Sequence, residues 1–285
     1  MVRIHGDPRP GVELEPYAYL RRLAVTGNAN FVNEVPNALA GSANRSIQGV
    51  LFDIDDTLVD LRAAAIAAFL ELTTEELRHV DASEASVVAA AFADDKAGAY
   101  ERYMAGELTF LEQREIRLRF SLGLVNAEAP AGELYQAWAE TYEKTVRSYW
   151  RPFEDVVPHL DQLRAMGIPF GAVSNNLESY QRAKLEIAGL EGFAVVVGSD
   201  TAGAPKPAPA PFLAGCQQLG IHPQQTLYVG DNPVNDYEGA RNAGLPAVLL
   251  DREAFHEDFL GLRIRDLWGL AELIGAGFDS FVADS

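Results

Sequence analysis

Residues 49–57 read Gly-Val-Leu-Phe-Asp-Ile-Asp-Asp-Thr, a short apolar run that ends in three carboxylates and a hydroxyl. An apolar run of this length without polar alternation is typical of a strand buried on both faces of a parallel sheet. Ligands of open parallel sheets bind just beyond the carboxyl ends of the strands. The acidic residues at the end of this run are therefore candidates for a functional site.

Three parts of the chain differ in pattern. Residues 1–47 are mixed and contain four prolines, and we interpret them as an N-terminal extension. Residues 58–149 show helical spacing throughout, which predicts an all-helical domain. From Trp150 onwards, strands alternate with helices, which predicts βαβ units with right-handed crossovers. The simplest organisation is an α/β core, residues 48–57 and 150–285, interrupted by the helical domain.

Helical spacing, caps and glycine stops place the individual elements. In the helical domain we predict helices at 61–72, 75–80, 110–122 and 132–149. Thr73 or Thr74 is expected to cap the helix at 75–80, and Ser83 the helix that follows it. In the core we predict strands at 168–173, 193–197, 226–229 and 247–250, and helices at 153–166, 177–188, 208–219, 236–243 and 266–274. A short helix is possible at 15–25 in the extension.

The composition excludes several classes of function. The chain has 285 residues, a net charge of −18 and one cysteine, Cys216, so it has no internal disulfide, and a reducing compartment is expected. Its acidity disfavours nucleic acid as a partner, because the phosphate backbone would be repelled. No apolar run reaches about 18 residues, so no membrane span is expected. We predict a cytoplasmic protein, either a monomer or a homodimer.

Polar side chains also follow the later predicted strands. Ser174 and Asn175 follow the second strand, Lys206 lies in the loop after the third, and Asp231 and Asp236 follow the fourth. Because the carboxyl ends of parallel strands meet at one edge, these side chains are expected to lie together. Crowded carboxylates repel one another unless a cation joins them, and oxygen ligands suit Mg²⁺. The five histidines are scattered, which argues against zinc.

In this order the residues resemble the four motifs of the haloacid dehalogenase (HAD) superfamily. Those motifs are Asp-x-Asp-x-Thr, a Ser or Thr after the next strand, a Lys, and Gly-Asp followed by a second acidic residue. The resemblance covers about residues 48–275, and the helical domain resembles the cap of the superfamily's subclass I. In this chain the motifs are Asp53-Ile54-Asp55-Asp56-Thr57, Ser174, Lys206, and the pair Asp231 and Asp236.

The resemblance implies an α/β fold, with a Rossmann-like doubly wound parallel sheet and an inserted all-helical cap domain. It also implies a Mg²⁺-dependent phosphatase that acts on a small phosphorylated metabolite. Asp53 would be the nucleophile that is transiently phosphorylated. Asp55 would protonate the leaving alcohol and then act as base for the water that attacks the aspartyl-phosphate.

The resemblance assigns the remaining motif residues to binding. Mg²⁺ would be held by Asp53, by the backbone carbonyl of Asp55 and by Asp231, with Asp236 as a further ligand through water or as a partner of Lys206. The residues expected at the phosphate are Thr57, which orients the first loop, Ser174, Asn175 through its backbone amide, and Lys206.

Several alternatives can be weighed on the same residues. Dehalogenases and phosphonate hydrolases of this superfamily lack an acid at the position of Asp55, so Asp55 argues against both. A phosphosugar mutase keeps both aspartates and therefore remains an alternative function. Its fourth motif, however, usually resembles Glu-Asp-Ser rather than Gly-Asp-Asn. A non-catalytic scaffold or interaction protein is disfavoured, because unpaired buried charges cost stability. Arg114 and Arg117 could face the site, but we expect both on a solvated helix face.

Overall fold

The computed structural model describes residues 46–276. Almost all of the predicted N-terminal extension, including the possible helix at 15–25, lies outside these residues. The strands are β1 (Gly49–Phe52), β2 (Phe170–Val173), β3 (Val195–Val197), β4 (Thr226–Gly230), β5 (Ala247–Leu250) and β6 (Arg263–Ile264). They form one parallel sheet in the order β3-β2-β1-β4-β5-β6. This order confirms the predicted Rossmann-like α/β fold.

The first strand lies at the centre of the sheet. Val50 of β1 pairs with Phe170 of β2 on one side and with Leu227 of β4 on the other. Leu51 and Phe52 have no exposed surface, which explains why the run is apolar without alternation. The central position of β1 brings the loop that follows it between the loops after β2 and β4.

Five helices form the segment that the sequence predicts as helical. They are α1 (Leu61–Leu72), α2 (Ala82–Ala93), α3 (Ala99–Met104), α4 (Phe110–Gly123) and α5 (Glu133–Ser148). Two of them begin with a capping box, formed by Asp81 with Glu84 and by Thr109 with Glu112. In both boxes the reciprocal hydrogen bonds occupy backbone N–H groups that would otherwise lack a partner in the first turn.

Helices also cover the two faces of the sheet. They are α6 (Val156–Ala165), α7 (Glu178–Ile187), α8 (Ser199–Ala202), α9 (Pro209–Leu219), α10 (Gly239–Asn242) and α11 (Leu270–Ala276). Phe52 belongs to a hydrophobic cluster that continues into the helical insertion through Phe69 and Phe92, whereas Leu51 packs into a second cluster with Phe212. No helix within residues 46–276 is long and apolar enough to cross a membrane.

The predicted helix at 75–80 and one predicted helix cap are wrong. Residues 75–80 form turns rather than a helix. Thr73 ends α1 instead of starting a new helix, because its hydroxyl and its backbone N–H both donate to the carbonyl of Phe69. Asp81, not Ser83, caps α2, since its carboxylate accepts hydrogen bonds from the backbone N–H groups of Ser83 and Glu84.

The core also differs from the prediction. The helix predicted to begin at residue 236 starts earlier, as a π-helical turn over Pro233–Glu238 that leads into α10. The Asn232 side chain caps this turn by accepting from the backbone N–H groups of Val234 and Asn235. Strand β6 was not predicted, because two residues are too few to produce a readable pattern.

Candidate active site

Three of the four predicted loops meet at the ammonium group of Lys206. Its Nζ atom lies 2.5 Å from Oδ1 of Asp53 and 2.6 Å from Oδ1 of Asp236. Asp53 follows β1, Lys206 lies between α8 and α9, and Asp236 lies in the π-helical turn after β4. All three side chains are buried, so their charges interact with little screening by water.

The loop after β2 joins the same site through Asn175. Its side chain accepts a hydrogen bond from the backbone N–H of Lys206 at 2.5 Å and donates one to the Lys206 carbonyl at 3.0 Å. This two-way contact fixes the backbone that carries the lysine. The neighbouring hydroxyl of Ser174 is buried and accepts hydrogen bonds from the Gln181 amide at 2.7 Å and from the backbone N–H of Asn176 at 3.2 Å.

Tyr228 lies under the ammonium and was not predicted from the sequence. Its hydroxyl is 3.0 Å from Lys206 Nζ, 3.0 Å from Asp236 Oδ1 and 3.2 Å from the carbonyl of Val173. Tyr228 belongs to β4 and has no exposed surface. A tyrosine inside an apolar strand is normally a core residue, so only the position of its hydroxyl reveals the contact with the site.

Gly230 makes room for Asp236 at the end of β4. A Cβ atom built on Gly230 would lie 2.4 Å from Cγ of Asp236, so no larger residue fits without moving that carboxyl group. The second oxygen of Asp236 accepts from the backbone N–H of Asn232 at 3.0 Å. The glycine of the Gly-Asp motif therefore has a steric reason in this structure.

Three carboxylates of the site are close enough to share a cation. Oxygen atoms of Asp53, Asp231 and Asp236 all lie within 4.8 Å of one another. Burial raises the pKa of Asp53 to about 7 against the opposing effect of Lys206, and burial with repulsion from Asp236 and Asp53 raises the pKa of Asp231 well above its usual value. Because three carboxylates lie this close together and repel one another, their oxygen atoms fit a divalent metal ion.

Lys206 itself is held in the charged form. Burial lowers the pKa of Lys206, but the carboxylates of Asp236 and Asp53 outweigh burial and keep that pKa well above its usual value. One ammonium thus balances part of the negative charge of the cluster. The carboxylates of the cluster still outnumber the cations, and a bound metal ion would compensate the remaining negative charge.

Thr57 lies at the contact between the loop after β1 and the loop after β4. Its hydroxyl donates to Oδ1 of Asp231 at 3.2 Å, and its carbonyl accepts from the guanidinium of Arg252 at 2.9 Å. Arg252 forms a two-pronged ion pair with Asp155, with distances of 2.9 Å and 3.0 Å. The contact with Asp231 ties the loop after β1 to the loop after β4.

Asp55 is bound by two side chains of α7 that the sequence did not single out. The ammonium of Lys184 pairs with Oδ1 of Asp55, and the amide of Gln181 donates to Oδ2 at 3.0 Å. The only available signal was that Gln181 and Lys184 are three residues apart on one face of a helix next to Ser174. Polar side chains with the same spacing also occur on helix faces exposed to water. The sequence therefore did not show whether Gln181 and Lys184 face water or Asp55.

A cleft of about 740 Å³ opens between these loops and the helical insertion. Arg114 and Arg117 of α4 both line it, so the expectation of a solvated helix face is wrong for both. Arg114 pairs with Glu143 at 3.3 Å and lies over the rings of Phe110 and Tyr142. Burial of the planar guanidinium against rings is favourable where a carboxylate completes the pairing, and a helical pattern alone does not reveal it.

Glu143 links the insertion to the sheet side of the cleft. Its carboxylate accepts hydrogen bonds from Arg114 and Arg147 of the insertion. It also accepts one from the hydroxyl of Tyr180 in α7, at 2.9 Å. Tyr180 directly precedes Gln181. One helix of the core therefore contacts both the insertion and the carboxyl group of Asp55.

The chain is similar in sequence to known hydrolases. A family model of haloacid dehalogenase-like hydrolases matches residues 47–244. The chain is 31% identical over 219 residues to the glyceraldehyde 3-phosphate phosphatase of Methanopyrus kandleri, covering 74% of this chain and 87% of that relative. It is 32% identical over 209 residues to the phosphoglycolate phosphatase of Shigella dysenteriae, covering 71% of this chain and 80% of that relative.

A solved structure also has a similar fold. The HAD-hydrolase YfnB of Bacillus subtilis, in a crystal structure bound to magnesium, superposes with a TM-score of 0.64. The match covers 80% of this chain and 99% of YfnB at 20% sequence identity. At this identity the likeness concerns the fold.

Proposed function

The chain belongs to the haloacid dehalogenase-like hydrolases, and from that premise we propose that it is a Mg²⁺-dependent phosphatase that uses Asp53 as its nucleophile. One observation carries the proposal. The Asp53 carboxyl lies against Lys206, beside two further carboxylates that can share a metal ion, and Asp55 follows two residues later. Two relatives that match most of this chain are phosphatases by name, which supports the same reaction class.

In the first step Asp53 attacks the phosphorus atom of the substrate. A bond forms between a carboxylate oxygen and phosphorus while the bond from phosphorus to the alcohol oxygen breaks. Asp55 gives its proton to the departing oxygen, so a neutral alcohol leaves. Without that proton an alkoxide would have to depart, which is why Asp55 favours a phosphatase over a dehalogenase.

In the second step water hydrolyses the aspartyl-phosphate. Asp55, now ionised, takes a proton from the water as its oxygen attacks phosphorus, and Asp53 is released as a carboxylate. The two steps restore both residues. We assign the helical insertion, residues 58–149, the role of a cap over the core. It would exclude bulk water from the site until the alcohol has left.

The transferring phosphoryl group is bound by donors from two loops. Lys206 offers an ammonium. Ser174 offers its hydroxyl proton, because both hydrogen bonds to that oxygen come from N–H donors. The backbone N–H of Asn175 is the further donor proposed from the same loop. Donors that are fixed before the reaction stabilise the charge that develops on the phosphoryl oxygens.

Mg²⁺ is the cation that we propose for the carboxylate cluster. Asp53, Asp231 and the backbone carbonyl of Asp55 would hold it, with Asp236 as a further ligand through water or as the partner of Lys206 that the structure presents. The ion would neutralise phosphoryl charge and lower the pKa of the Asp53 carboxyl. Oxygen-only donors favour Mg²⁺ over zinc or copper.

A phosphate-release assay tests the proposal. The substrates are phosphoglycolate, glyceraldehyde 3-phosphate and dinitrophenyl phosphate, each with Mg²⁺ and with a chelator. We expect Mg²⁺-dependent release from at least one of them, and none from Asp53→Asn purified in the same way, which controls for contaminating phosphatases. Isomerisation of a phosphosugar that depends on a bisphosphate primer would replace the proposal with a mutase, and no reaction at all would overturn it.

A further inference from the structure

Helix α7 presents a buried cation to the carboxyl group of Asp55. Lys184 is 1% exposed, and its ammonium pairs with Oδ1 of Asp55. The same ammonium lies 5.1 Å from the ring centroid of Trp150 and 5.3 Å from that of Tyr180. A lysine is rarely buried to this degree, and burial of its charge costs stability unless specific partners offset the cost. The location of Lys184 therefore calls for a function beyond packing.

Gln181 binds the other oxygen of the same carboxyl group. Its amide nitrogen carries two N–H bonds, and it donates to Asp55 Oδ2 at 3.0 Å and to Ser174 Oγ at 2.7 Å. Gln181 has no exposed surface. One amide thus sets the distance between the proposed general acid and the proposed phosphate ligand.

The two contacts together restrict the rotation of the Asp55 side chain. With one donor on each carboxyl oxygen, turning the carboxyl plane would break both contacts at once. The aromatic rings beside Lys184 hold its ammonium in place whether or not Asp55 carries a proton, since a cation above a ring is stabilised by the ring itself. The contacts of Lys184 and Gln181 with Asp55 can therefore persist through both steps of the proposed reaction.

We propose that Lys184 and Gln181 are positioning residues that aim the Asp55 carboxyl group at the leaving-group oxygen. They act through Asp55 and are not assigned a contact with the phosphoryl group. This inference rests on the proposed phosphatase function. Proton transfer requires the acid to lie within hydrogen-bond reach of the departing oxygen, so a mobile Asp55 would protonate it less often.

The test compares substrates that differ in how much they need the acid. An alkyl phosphate releases a poor leaving group that must be protonated, whereas dinitrophenyl phosphate releases a stable phenolate that needs no proton. The quantity to measure is kcat/KM, because it covers only the steps up to departure of the leaving group. Hydrolysis of the aspartyl-phosphate, in which Asp55 also acts, then does not enter the comparison.

We expect Lys184→Met to lower kcat/KM about 10-fold or more for the alkyl monoester that the wild type hydrolyses fastest. For dinitrophenyl phosphate the decrease should stay within about threefold, since acid catalysis contributes little there. Gln181→Leu should show the same selectivity. Lys184→Arg, which keeps a cation at this position, should recover part of the alkyl rate.

Lys144→Met is the matched control, because it makes the same change at an exposed position of α5 and should leave both rates unchanged. Retained turnover of dinitrophenyl phosphate shows that each variant is folded. Equal losses for both substrates, or no loss for either, would overturn the positioning role while leaving the phosphatase intact. A wild type that hydrolyses neither substrate would instead refute the proposed function.

Discussion

Lys206 is the residue at which most contacts of the candidate site converge. Its ammonium binds Asp53, Asp236 and the hydroxyl of Tyr228, and its backbone is held by Asn175. The attraction within a buried ion cluster is largely offset by the cost of taking its charges out of water, but removal of one member is strongly destabilising. Loss of the cation leaves the two carboxylates facing each other without compensation.

Replacement of Lys206 by Met should therefore affect both stability and turnover. In metal-free buffer we expect the free energy of unfolding to fall by about 3 kcal/mol or more, because buried carboxylates are left unpaired. Phosphate release should fall by about 100-fold or more, as for loss of one preorganised donor. Denaturant unfolding and steady-state assays measure the two effects, with Lys144→Met as the exposed control. Wild-type stability in the Lys206 variant would contradict the assigned ion pairs.

Three of the motif residues were predictable because each of them directly follows a strand. Asp53, Ser174 and Asp231 lie next to β1, β2 and β4, and an apolar strand ending in a polar loop is visible in the sequence. Gln181 and Lys184 were not identified, because they lie on a helix. A polar helical face gives the same pattern whether it meets water or a neighbouring loop, and only tertiary contacts decide between them.

Arg114 illustrates the same limit in the insertion. Its helix carries charged residues on several sides, so periodicity alone predicted a solvated face. In the structure, Glu143 and two aromatic rings surround its guanidinium. The partners come from a different helix, and one of them, Glu143, also contacts Tyr180 of the core. Such a contact depends on how helices pack, which the local sequence does not encode.

At the scale of elements, α6 carries a neutral histidine that should make stability depend on pH. His159 has no exposed surface and lies edge-on to the ring of Phe52 in β1, with centroids 6.0 Å apart. Burial lowers the pKa of His159 to about 4 against the opposing charge of Asp155. The unfolded chain takes up this proton near pH 6.5, whereas the folded chain resists it.

The contribution of His159 is therefore full above pH 6.5 and is lost as the pH falls towards 4. The lost free energy of unfolding is about 3 kcal/mol over this window. Replacement by Leu should remove that component, so the difference in stability between wild type and variant should change with pH. Denaturant titrations at several pH values measure it, with the exposed His222→Gln as control. A difference that is constant with pH would refute the buried neutral state.

At the scale of the whole molecule, the chain carries a net charge of −18. Three of its carboxylates are held together at the carboxyl edge of the sheet by the same packing that forms the core. The fold therefore maintains a local repulsion that a bound cation would relieve. Binding that occurs only in the folded state raises the stability of the entire chain.

Mg²⁺ should therefore raise the melting temperature of the protein. At a concentration 100 times the dissociation constant, the expected gain is about 2.7 kcal/mol in the free energy of unfolding. Calorimetry with Mg²⁺, and with K⁺ at equal ionic strength as control, measures the effect. Asp231→Asn should reduce the Mg²⁺-specific increase because it removes one carboxylate of the cluster. An equal increase with both salts would show general screening and no site.

The most direct test of the central claim is chemical trapping of the phosphorylated enzyme. During turnover the reaction is quenched, reduced with borohydride and digested, and the peptide that contains residue 53 is analysed by mass spectrometry. Reduction of an aspartyl-phosphate converts that residue to homoserine, whereas an unmodified carboxylate is not reduced. We predict homoserine at position 53 in the wild type when substrate and Mg²⁺ are present, and none in folded, inactive Asp53→Asn. Turnover without homoserine at position 53, or continued hydrolysis by Asp53→Asn, would contradict the account.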